Sequence, residues 1–590
     1  MRFAAYGDFA RYLESAGELH RVRVEVDPYL EITEIASRAI RENKPALLFE
    51  KVKGSRYPVV INGLAGVHRC ELALQKHPEQ LGQELVEFLG DVFPLRFRVV
   101  ARHRKLVRRF LHAPVRMVTG ALSQQIVEEP NLDLLPILWC WPGDGGRFLT
   151  LPQVITYDPR NGKRNMGMYR MHVFDHRTTG MHWQIQKGGG FHFYQAEKLG
   201  RPLELAVALG TDPALLLATV AALPENIDEA MFAGFLRGRR SEFVRGRSIG
   251  IAVPAGAEFI LEGVVRPRER RMEGPFGDHF GHYSHAAEFP VFHVHSVTRR
   301  KDPLYPATVV GIPPMEDKFM GDATQQILGP LVKLLNSEID DMWAYYEAGF
   351  HNLLVVAVDQ RYGKEAMKTA LGLLGLSQLS LTKCIILVSN GVDVKNFESV
   401  IKEVLQNFDP HEDFLLLPRV PMDTLDFTSY SMNLGSKMIL DATRKEHLRG
   451  TKRDTRKRIR ALPRLRSVDR RILDQHLLYE GLLLVTVHGL GMPVLKKLLQ
   501  VPSLREIPLI AMVSEDVNIR ERESAIWGVF TRFDCERDVL FAQQKLIGAT
   551  PVYSGTMGID ATWKKGYPEP LRMTEEVRRK VDARWNQYWQ

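Results

Sequence analysis

The sequence predicts a multidomain α/β protein, and three observations support that prediction. The chain has 590 residues, more than one hydrophobic core usually spans. Between residues 116 and 315, short apolar runs alternate with Gly and Pro, which is typical of a β-barrel. After residue 316, helical runs alternate with strand-like runs, which indicates α/β units. We therefore expect an N-terminal α/β domain (1–115), a central split β-barrel (116–315), a C-terminal α/β unit (316–445), and a basic connection with a second α/β unit (446–590).

Individual elements can be placed inside these domains. In the N-terminal domain we expect a helix over residues 8–16 and a buried strand over residues 46–49 (ALLF). In the central domain, residues 248–253 and 291–297 are rich in β-branched side chains and are expected as strands. Residues 384–388 (CIILV) form a continuous apolar run, as a strand buried on both faces of a sheet requires.

The C-terminal half contains a weak internal repeat. Residues 385–393 (IILVSNGVD) resemble residues 509–517 (LIAMVSEDV), and residues 435–443 (GSKMILDAT) resemble residues 555–562 (GTMGIDAT). The spacings of the two pairs differ only by a loop-sized change, as a duplicated supersecondary unit would show. We therefore expect a duplicated α/β unit.

Composition and sequence pattern exclude several classes of protein. Hydrophobic residues make up 45% and charged residues 25% of the chain, as in ordinary globular proteins. No apolar run approaches the roughly 20 residues that cross a membrane, and the first residues (MRFAAYGD) lack the apolar segment of a signal peptide. Cys70, Cys140, Cys384 and Cys535 lie far apart, so neither a disulfide framework nor a zinc site is expected. We expect a cytoplasmic protein with reduced thiols.

The net charge of +9 is concentrated partly in one basic run. Residues 452–466 carry eight Lys and Arg side chains and a single acid, Asp454. Such a run could contact nucleic acid or an anionic membrane surface. It contains no aromatic residue to stack on bases, so we expect no nucleic-acid partner. Two interpretations stay open: a solvated linker or helix face, and a peripheral contact with the inner face of the membrane.

The stretch 273–278 (EGPFGD) is the strongest candidate for chemistry. Gly and Pro between Glu273 and Asp278 favour a turn, which would bring the two carboxylates to one site. Paired acids in an apolar surround differ in pKa, so that one can hold a proton while the other is ionised. Aromatic and imidazole side chains follow directly and favour this interpretation over an acidic surface turn.

Two segments upstream add binding groups, residues 165–170 (NMGMYR) and residues 182–190 (HWQIQKGGG). The guanidinium of Arg170 is suited to two-pronged binding of a carboxylate or a phosphate. Lys187 beside three glycines offers a cation next to unhindered backbone N–H groups, so we expect a turn that could hold a phosphate. An ordinary loop is the alternative. The Walker pattern and the Rossmann glycine pattern are both absent from the sequence.

Residues 229–238 (EAMFAGFLRG) carry an apolar stripe typical of a helix that ends between Gly234 and Gly238. Glu229 would then lie on an early turn, where an acid interacts favourably with the helix dipole. Asn165 and Glu229 could instead supply hard oxygen ligands for Mn²⁺ or Mg²⁺, especially where a phosphate completes the shell. Spacing alone leaves both interpretations open.

Together these segments resemble the UbiD-type decarboxylase family, whose members use prenylated flavin mononucleotide (prenylated FMN) to remove CO₂ from aromatic and unsaturated acids. The resemblance covers most of the first 445 residues, and its joint pattern is specific. It rests on residues 18–19, 26–32, 45–49, 165–170, 181–184, 229–238, 254–263, 273–278 and 435–443. It implies that the central split β-barrel binds flavin. It also implies that the C-terminal α/β units serve assembly into a homo-oligomer, either through both copies or through the second copy alone while the first packs on the barrel.

By position, the resemblance implies a role for the candidate side chains. Arg170, Glu273 and Asp278 match the catalytic network, with Asp278 as the proton donor. To protonate the carbon that CO₂ leaves, Asp278 would have to hold a proton at working pH. Asn165 and Glu229 match ligands of the divalent metal, Mn²⁺ or Mg²⁺, that holds the cofactor phosphate. K⁺ is a further candidate cation.

The resemblance also implies which residues contact the cofactor. These are Met168, Tyr169, Arg170, His182, Trp183, Gln184, Lys187 and Gly188. One departure from the family pattern concerns a third metal ligand. Many members have a histidine at or just before position 187, where this chain reads Gln186-Lys187. Lys187 could therefore neutralise the phosphate directly.

The implied activity is the non-oxidative decarboxylation of an aromatic carboxylic acid. Long members with an extended tail resemble enzymes of ubiquinone and menaquinone biosynthesis, so the substrate candidates are 4-hydroxy-3-polyprenylbenzoate and a dihydroxynaphthoate. A flavin prenyltransferase would supply the cofactor. The alternatives are a reversible aromatic (de)carboxylase outside quinone synthesis and a non-catalytic assembly protein that retains the fold. Intact Arg170, Glu273 and Asp278 argue against the last of these.

Overall fold

The computed structural model describes residues 3–91, 102–184, 187–223, 227–429, 431–445 and 462–590. The chain divides into two compact units, one formed by residues 1–331 with 569–590 and the other by residues 332–568. The sequence grouped residues 569–590 with the second α/β unit, whereas the structure places them in the first unit, because the helix Glu575–Tyr588 packs on the helix Glu31–Arg41. Most of the basic run 452–466 lies outside the described residues.

The N-terminal part of the first unit is an α/β layer. Its four-stranded sheet has the order Leu19–Val22, Ala46–Phe49, Val59–Ile61 and Tyr305–Pro306. The predicted strand over residues 46–49 is confirmed, and all four of its side chains are buried. The helices of this part are Tyr6–Ser15, Glu31–Arg41, Val67–Leu74, Pro78–Asp91 and Arg104–Leu111. The first of them begins two residues earlier than the helix predicted over residues 8–16.

The central part of the first unit is built on a seven-stranded antiparallel sheet. Its strands follow the order Thr178–Gly180, Ala287–Arg299, Phe259–Glu273, Leu203–Leu209, Gln153–Tyr157 and Arg164–Met168, with Ile126–Glu128 paired to Ala287–Arg299. Within the described residues the two end strands do not pair with each other, so the sheet is open and does not close into a barrel. Alternate residues of Leu203–Leu209 enter two different hydrophobic cores, so both faces of the sheet are covered.

Smaller elements surround this sheet. The short strands are Arg116–Met117, Phe148–Leu149, Met171–His172, Glu242–Arg245, Ala252–Pro254, Phe276–Gly277 and Tyr283–Ser284, and the helices are Gly188–Lys198, Pro213–Val220 and Glu229–Arg237. The strand predicted over residues 291–297 is confirmed within Ala287–Arg299. The strand predicted over residues 248–253 is largely wrong. Extended structure begins only at Ala252, because the residues before it, SIGI, form a series of bends.

The second unit contains two five-stranded sheets with the same strand order. The first sheet runs Ile339–Ala344, Leu354–Val358, Cys384–Ser389, Leu434–Asp441 and Phe414–Pro421, and the second runs Ile472–Leu478, Leu482–Val487, Leu509–Val513, Thr550–Ala561 and Val539–Ile547. Helices of the chain from residue 316 to 568 are Glu316–Leu335, Glu365–Leu373, Phe397–Asn407, Pro410–Asp413, Met492–Leu498 and Arg522–Phe530. The strand predicted over residues 384–388 is confirmed.

The duplication expected from the repeat is present in side-chain contacts as well as in topology. Lys445 Nζ donates to the backbone oxygens of Asp441 and Thr443 at 3.1 and 2.7 Å. In the second copy, Lys564 Nζ donates to the backbone oxygens of Asp560 and Thr562 at 2.8 and 3.3 Å. The same lysine therefore caps the end of the same strand in both copies.

The two copies contact each other reciprocally inside this unit. The turn between the first two strands of the first copy packs on the helix Arg522–Phe530, and Arg522 lies 3.9 Å from Glu347 of that turn. In the other direction, a Cβ at Gly481, in the corresponding turn of the second copy, would lie 2.7 Å from Ile401 of the helix Phe397–Asn407. The turn of each copy therefore packs on the corresponding helix of the other copy, which is the arrangement of a two-fold, isologous interface.

Two expectations from composition can be compared with this structure. All four cysteines are buried free thiols. Among the helices that the structure describes, none combines the length and the hydropathy of a membrane span.

Candidate active site

The candidate catalytic side chains lie at or just after the ends of three strands. Arg170 follows the strand Arg164–Met168, Glu273 is the last residue of Phe259–Glu273, and Asp278 follows the short strand Phe276–Gly277. Strand ends can carry polar groups where a sheet interior cannot, because the backbone is free to turn there. The turn expected between Glu273 and Asp278 does not form there, because residues 273–277 continue one antiparallel pairing with residues 283–287 and the chain reverses only afterwards, at residues 278–282.

Arg170 joins the two carboxylates. Its Nε donates to Glu273 Oε1 at 3.0 Å, and its Nη1 donates to Asp278 Oδ2. A third contact runs from Nη2 to Ser284 Oγ at 2.8 Å. The guanidinium also lies 4.8 Å from the centre of the Phe276 ring, so one of its faces is covered by an apolar surface. The guanidinium is thus held in a fixed orientation by partners on several sides.

This arrangement decides the charge of both acids. Burial opposes ionisation of Glu273, but Arg170 and His182 outweigh it and lower its pKa to about 2. Burial also opposes ionisation of Asp278, and Arg170 with His279 holds its pKa well below the usual range. The expectation that Asp278 holds a proton is therefore not met in this arrangement, because the cation that binds Glu273 also binds Asp278.

His182 extends the network on the far side of Glu273. Its Nδ1 lies 3.1 Å from Glu273 Oε2, and its ring lies against Phe289. Burial, followed by the nearby Arg170, lowers the pKa of His182, which favours the neutral imidazole. Its Nε2 is buried and has no hydrogen-bond partner in the described part of the chain. A neutral imidazole with one nitrogen left over is suited to bind a further group at this point.

A second cluster forms around the start of the helix Gly188–Lys198. Glu229 Oε2 accepts the backbone N–H of Met166 at 2.8 Å. With its amide oxygen turned toward the backbone, Asn165 accepts the N–H groups of Met166 and Gly189, each at 3.3 Å. Because both oxygens reach the same N–H, the carboxylate and the amide converge on one place. Burial raises the pKa of Glu229 to about 7.

The helix Glu229–Arg237 does not need Glu229 as its cap. The side chain of Asp228 accepts the N–H groups of Ala230 and Met231 at 2.8 and 3.3 Å and so caps the helix itself. The helix ends at Gly238, which has φ = 64°, as predicted. Glu229 is therefore available for another role, which favours its interpretation as a ligand.

Residues 187–190 were predicted as a turn, and this prediction is wrong: Lys187 precedes the helix and the three glycines form its first turn. The helix N-terminus directs backbone N–H groups and a partial positive charge toward the Asn165–Glu229 cluster, as phosphate-binding sites do. A Cβ at Gly188 would lie 2.0 Å from the nearest atom of the Asn165 side-chain amide, so only glycine fits at this position. Trp183 Nε1 is buried without a hydrogen-bond partner in the described residues, so one more donor is left for a ligand.

These donors fit a phosphate held with a divalent cation. Amide and carboxylate oxygens are the ligands that Mn²⁺ and Mg²⁺ accept. No group of three or more His, Cys, Asp or Glu able to hold a metal occurs in the described residues. Asn165 and Glu229 would therefore share the cation with the phosphate and with water. Nothing in this donor set distinguishes one of these metals from the other.

The remaining predicted contacts lie along the same two segments. Tyr169 OH accepts the N–H of Gly189 at 3.3 Å, and burial raises its pKa to about 12, so the phenol stays protonated. Met168 is the last residue of the strand Arg164–Met168, and its partly buried side chain packs against one of the two hydrophobic cores that cover the sheet. A Cβ at Gly190 would lie 3.2 Å from the backbone oxygen of Gln184. The structure therefore brings the predicted residues into two clusters, one around Arg170 and one around Asn165 and Gly188.

Two residues of the site were not foreseen from the sequence. Ser284 binds Arg170, as described above. Asp144 is buried and accepts the backbone N–H groups of Trp141 and Gly277 at 2.8 and 2.7 Å. Burial raises the pKa of Asp144 to about 7. The only sequence signal for Asp144 is its position in a Gly-rich turn, 141–146 (WPGDGG), after a buried segment.

Comparison with known proteins finds all three domains of one family in this chain. Residues 10–89, 115–313 and 318–442 match, in that order, the N-terminal domain, the Rift-related domain and the C-terminal domain of 3-octaprenyl-4-hydroxybenzoate carboxy-lyase (UbiD). Three relatives are an uncharacterized protein of Archaeoglobus fulgidus (43% identity, covering 77% of this chain and 94% of the relative), one of Chlamydia trachomatis (38%, 98% and 98%), and a 4-hydroxybenzoate decarboxylase subunit from Chlamydia pneumoniae (35%, 98% and 97%).

Solved structures of the same class are similar in fold. The vanillic acid decarboxylase of Sedimentibacter hydroxybenzoicus in its closed form superposes with a TM-score of 0.67 at 27% identity, over 75% of this chain and 93% of that one. An evolved dimeric form of the UbiD-class enzyme HmfF of Pelotomaculum thermopropionicum, in complex with prenylated FMN, gives 0.62 at 26%, over 75% and 96%. The chain therefore belongs to the UbiD family of prenylated-FMN-dependent carboxy-lyases.

Proposed function

We propose that this protein decarboxylates an aromatic carboxylic acid at the site formed by Arg170, Glu273 and Asp278. The observation that carries the proposal is the buried guanidinium of Arg170, fixed between two ionised carboxylates and a serine hydroxyl. An arginine held in this way can receive a substrate carboxylate without moving, because its orientation is set before the substrate arrives.

The Asn165–Glu229 cluster would hold the cofactor at its phosphate. Asn165 and Glu229 would bind Mn²⁺ or Mg²⁺, with K⁺ as a further candidate cation, and the N–H groups at the start of the helix Gly188–Lys198 would bind the phosphate. Tyr169, His182 and Trp183 would line the rest of the cofactor. When bound, the prenylated flavin supplies the electron sink that loss of CO₂ requires.

Side chains of the protein would supply the proton that the reaction consumes. As the bond between the carboxylate carbon and the ring carbon breaks, CO₂ leaves, the electron pair of the bond stays with the ring carbon, and one proton must reach the ring carbon. A substrate carboxylate on Arg170 competes with Asp278 for the guanidinium, so the pKa of Asp278 rises and Asp278 can carry the proton. Glu273 and His182 keep Arg170 in place meanwhile.

His279 would return the proton to Asp278 after each turnover. Its Nδ1 lies 2.7 Å from Asp278 Oδ1. The side chain of His279 is 22% exposed, against 10% for that of Asp278. An imidazole that contacts both the buried acid and solvent is suited to pass a proton between them. The neighbouring His282, by contrast, is buried and faces the oxygen of Phe280, so it has no comparable path to solvent.

We propose a phenolic acid of quinone biosynthesis as the substrate, of the 4-hydroxy-3-polyprenylbenzoate or the dihydroxynaphthoate type. The Chlamydia pneumoniae relative is named for 4-hydroxybenzoate and the Sedimentibacter structure for vanillic acid, which supports a phenolic ring. A polyprenylated substrate would be presented at a membrane surface, where the basic run 452–466 could bind. Salt-sensitive pelleting with anionic vesicles, before and after neutralising that run, tests this contact.

The first test is the cofactor. The protein is co-expressed with a flavin prenyltransferase in medium with Mn²⁺, and its absorbance spectrum and the mass of the released cofactor are recorded. Bound prenylated flavin followed by CO₂ release from one phenolic acid of a panel supports the proposal. Folded protein that takes up neither flavin nor metal contradicts it and favours a role in assembly.

A further inference from the structure

The C-terminal segment of the chain returns to the loop that carries the proposed proton donor. We call residues 278–283 the acid loop and residues 569–573 the C-terminal strap. Both belong to the first compact unit, although about 290 residues separate them along the chain. The intervening residues 332–568 form the second unit. The strap therefore reaches the site only after the duplicated α/β region has been completed.

The strap pairs with the acid loop through its backbone. Tyr283 donates its N–H to Glu569 O at 3.3 Å, and Leu571 donates its N–H to Gly281 O at 2.9 Å. Between them, His282 and Pro570 face each other in an antiparallel bridge. The strap is thus joined by this bridge to the loop that connects the paired strands Phe276–Gly277 and Tyr283–Ser284. That pair carries Ser284 and leads into Asp278, so both loop contacts to Arg170 depend on it.

One side chain of the strap closes over the backbone that precedes Asp278. Leu571 is 3% exposed. A Cβ placed at Gly277 would lie 2.8 Å from Leu571 Cδ2 and 2.2 Å from Trp141 Cδ1. Gly277 is therefore enclosed between the leucine and the indole. On its inner side, the N–H of Gly277 is bound by Asp144. Movement of the residue before Asp278 is restricted from both sides.

The helix that follows the strap anchors it to the N-terminal part. Three side chains of Glu575–Tyr588 converge on Glu31, which is 1% exposed. Arg584 and Tyr588 bind Glu31 Oε1 at 2.5 and 2.8 Å, and Lys580 lies 2.8 Å from Oε2. A buried carboxylate with several cationic and hydroxyl partners gives a firm attachment, because breaking it would leave a buried charge uncompensated.

We propose that the C-terminal strap positions Asp278 for proton transfer and that Leu571 is the residue through which it acts. Leu571 acts through the backbone at Gly277 and Gly281, and so fixes the loop that carries Asp278 and leads into Ser284. The catalytic part of this proposal rests on the proposed function, whereas the ordering of the acid loop does not. The two parts are therefore measured separately.

The first measurement is amide hydrogen exchange on the full chain without cofactor. Leu571→Ala is expected to raise exchange of the acid-loop amides about tenfold, because the loop loses its outer contact, while exchange over residues 165–170 is unchanged. Leu571→Met, which keeps the volume, should restore protection. Leu504→Ala removes the same side chain at a buried site in the second unit and should leave the acid loop unaffected. Wild-type exchange in Leu571→Ala overturns the proposal.

The second measurement is turnover of the loaded enzyme. Leu571→Ala is expected to lower kcat about tenfold, with KM and cofactor content unchanged, because a misplaced donor slows proton transfer without weakening binding. If Leu571→Ala does not fold, Leu571→Val makes the smaller change and the same comparison applies. Unchanged kcat in an active enzyme overturns the proposal alone. Absence of CO₂ release by the loaded wild type contradicts the proposed function, and the exchange measurement still decides the role of the strap.

Discussion

Gly277 donates its backbone N–H to Asp144 Oδ1 at 2.7 Å, one residue before Asp278. Asp144 thus binds the residue that directly precedes the acid loop. Burial raises the pKa of Asp144 to about 7. The folded protein binds the proton of Asp144 more tightly than the unfolded chain does. The stability that this proton contributes is fully present below the unfolded pKa, near pH 4, and is lost as the pH rises through about 7.

Asp144→Asn should remove this pH dependence. The difference in free energy of unfolding, variant minus wild type, should rise by on the order of 2–3 kcal/mol from pH 5 to pH 8. It rises because only the wild type loses the contribution of the Asp144 proton over this range. Urea unfolding at several pH values measures it. Asp133→Asn, at an exposed carboxylate, is the control. A difference between wild type and Asp144→Asn that stays constant with pH would count against the raised pKa.

Asp278→Asn should abolish turnover and leave cofactor and metal bound. The amide cannot carry the proton, whereas the Asn165–Glu229 cluster belongs to other elements. Asp278→Glu keeps the acid on a longer side chain and should retain part of the activity. Cofactor content, metal content and CO₂ release are measured on the same preparations. Near-normal turnover in Asp278→Asn would remove Asp278 from the mechanism.

His279→Gln should slow the return of the proton without affecting substrate binding. We expect kcat to fall about tenfold and KM to stay unchanged. This is less than the roughly 10²–10⁴-fold contribution of a group that protonates the substrate itself, because His279 only supplies the proton to Asp278. Added imidazole should restore part of kcat, because a small base can replace a side chain that is partly exposed to solvent. Turnover of His279→Gln equal to that of the wild type at every pH would exclude the relay.

Gly188→Ala tests the phosphate and metal cluster. The added Cβ would lie 2.0 Å from the nearest atom of the Asn165 side-chain amide and would displace that amide. We expect Mn²⁺ affinity to fall about tenfold or more, as when the support of a metal ligand is removed. Metal content by elemental analysis and flavin content by absorbance measure the effect. Gly120→Ala, where nothing lies within 4 Å of the added carbon, should retain both.

Local patterns in the sequence were sufficient for much of the site. The two acids of residues 273–278 both contact Arg170, although the chain reverses after Gly277 and not between them. The continuous apolar run at residues 384–388 formed the predicted strand. Both features depend on residues within a few positions of each other. The repeat in the C-terminal half was likewise visible as sequence similarity and is present as two sheets of the same strand order.

Features that depend on distant contacts were not predictable. The protonation of Asp278 depends on Nη1 of Arg170, and Arg170 lies 108 residues earlier in the chain. Asp144 has no pattern of its own, because its role depends on two backbone N–H groups that only the folded chain brings together. The glycines after Lys187 formed a helix and not a turn, because packing on the sheet overrides their low helix propensity.

The reciprocal packing of the two α/β copies occurs within a single polypeptide. In a pair of identical chains every substitution at such an interface appears twice, whereas here each side can change independently. One contact between the copies has already become asymmetric. Lys383 of the first copy donates its Nζ to the backbone oxygen of Phe533 at 3.0 Å. The corresponding residue of the second copy is Pro508, whose side chain has no donor. Because the two copies are covalently linked, dilution does not separate them as it would separate two chains.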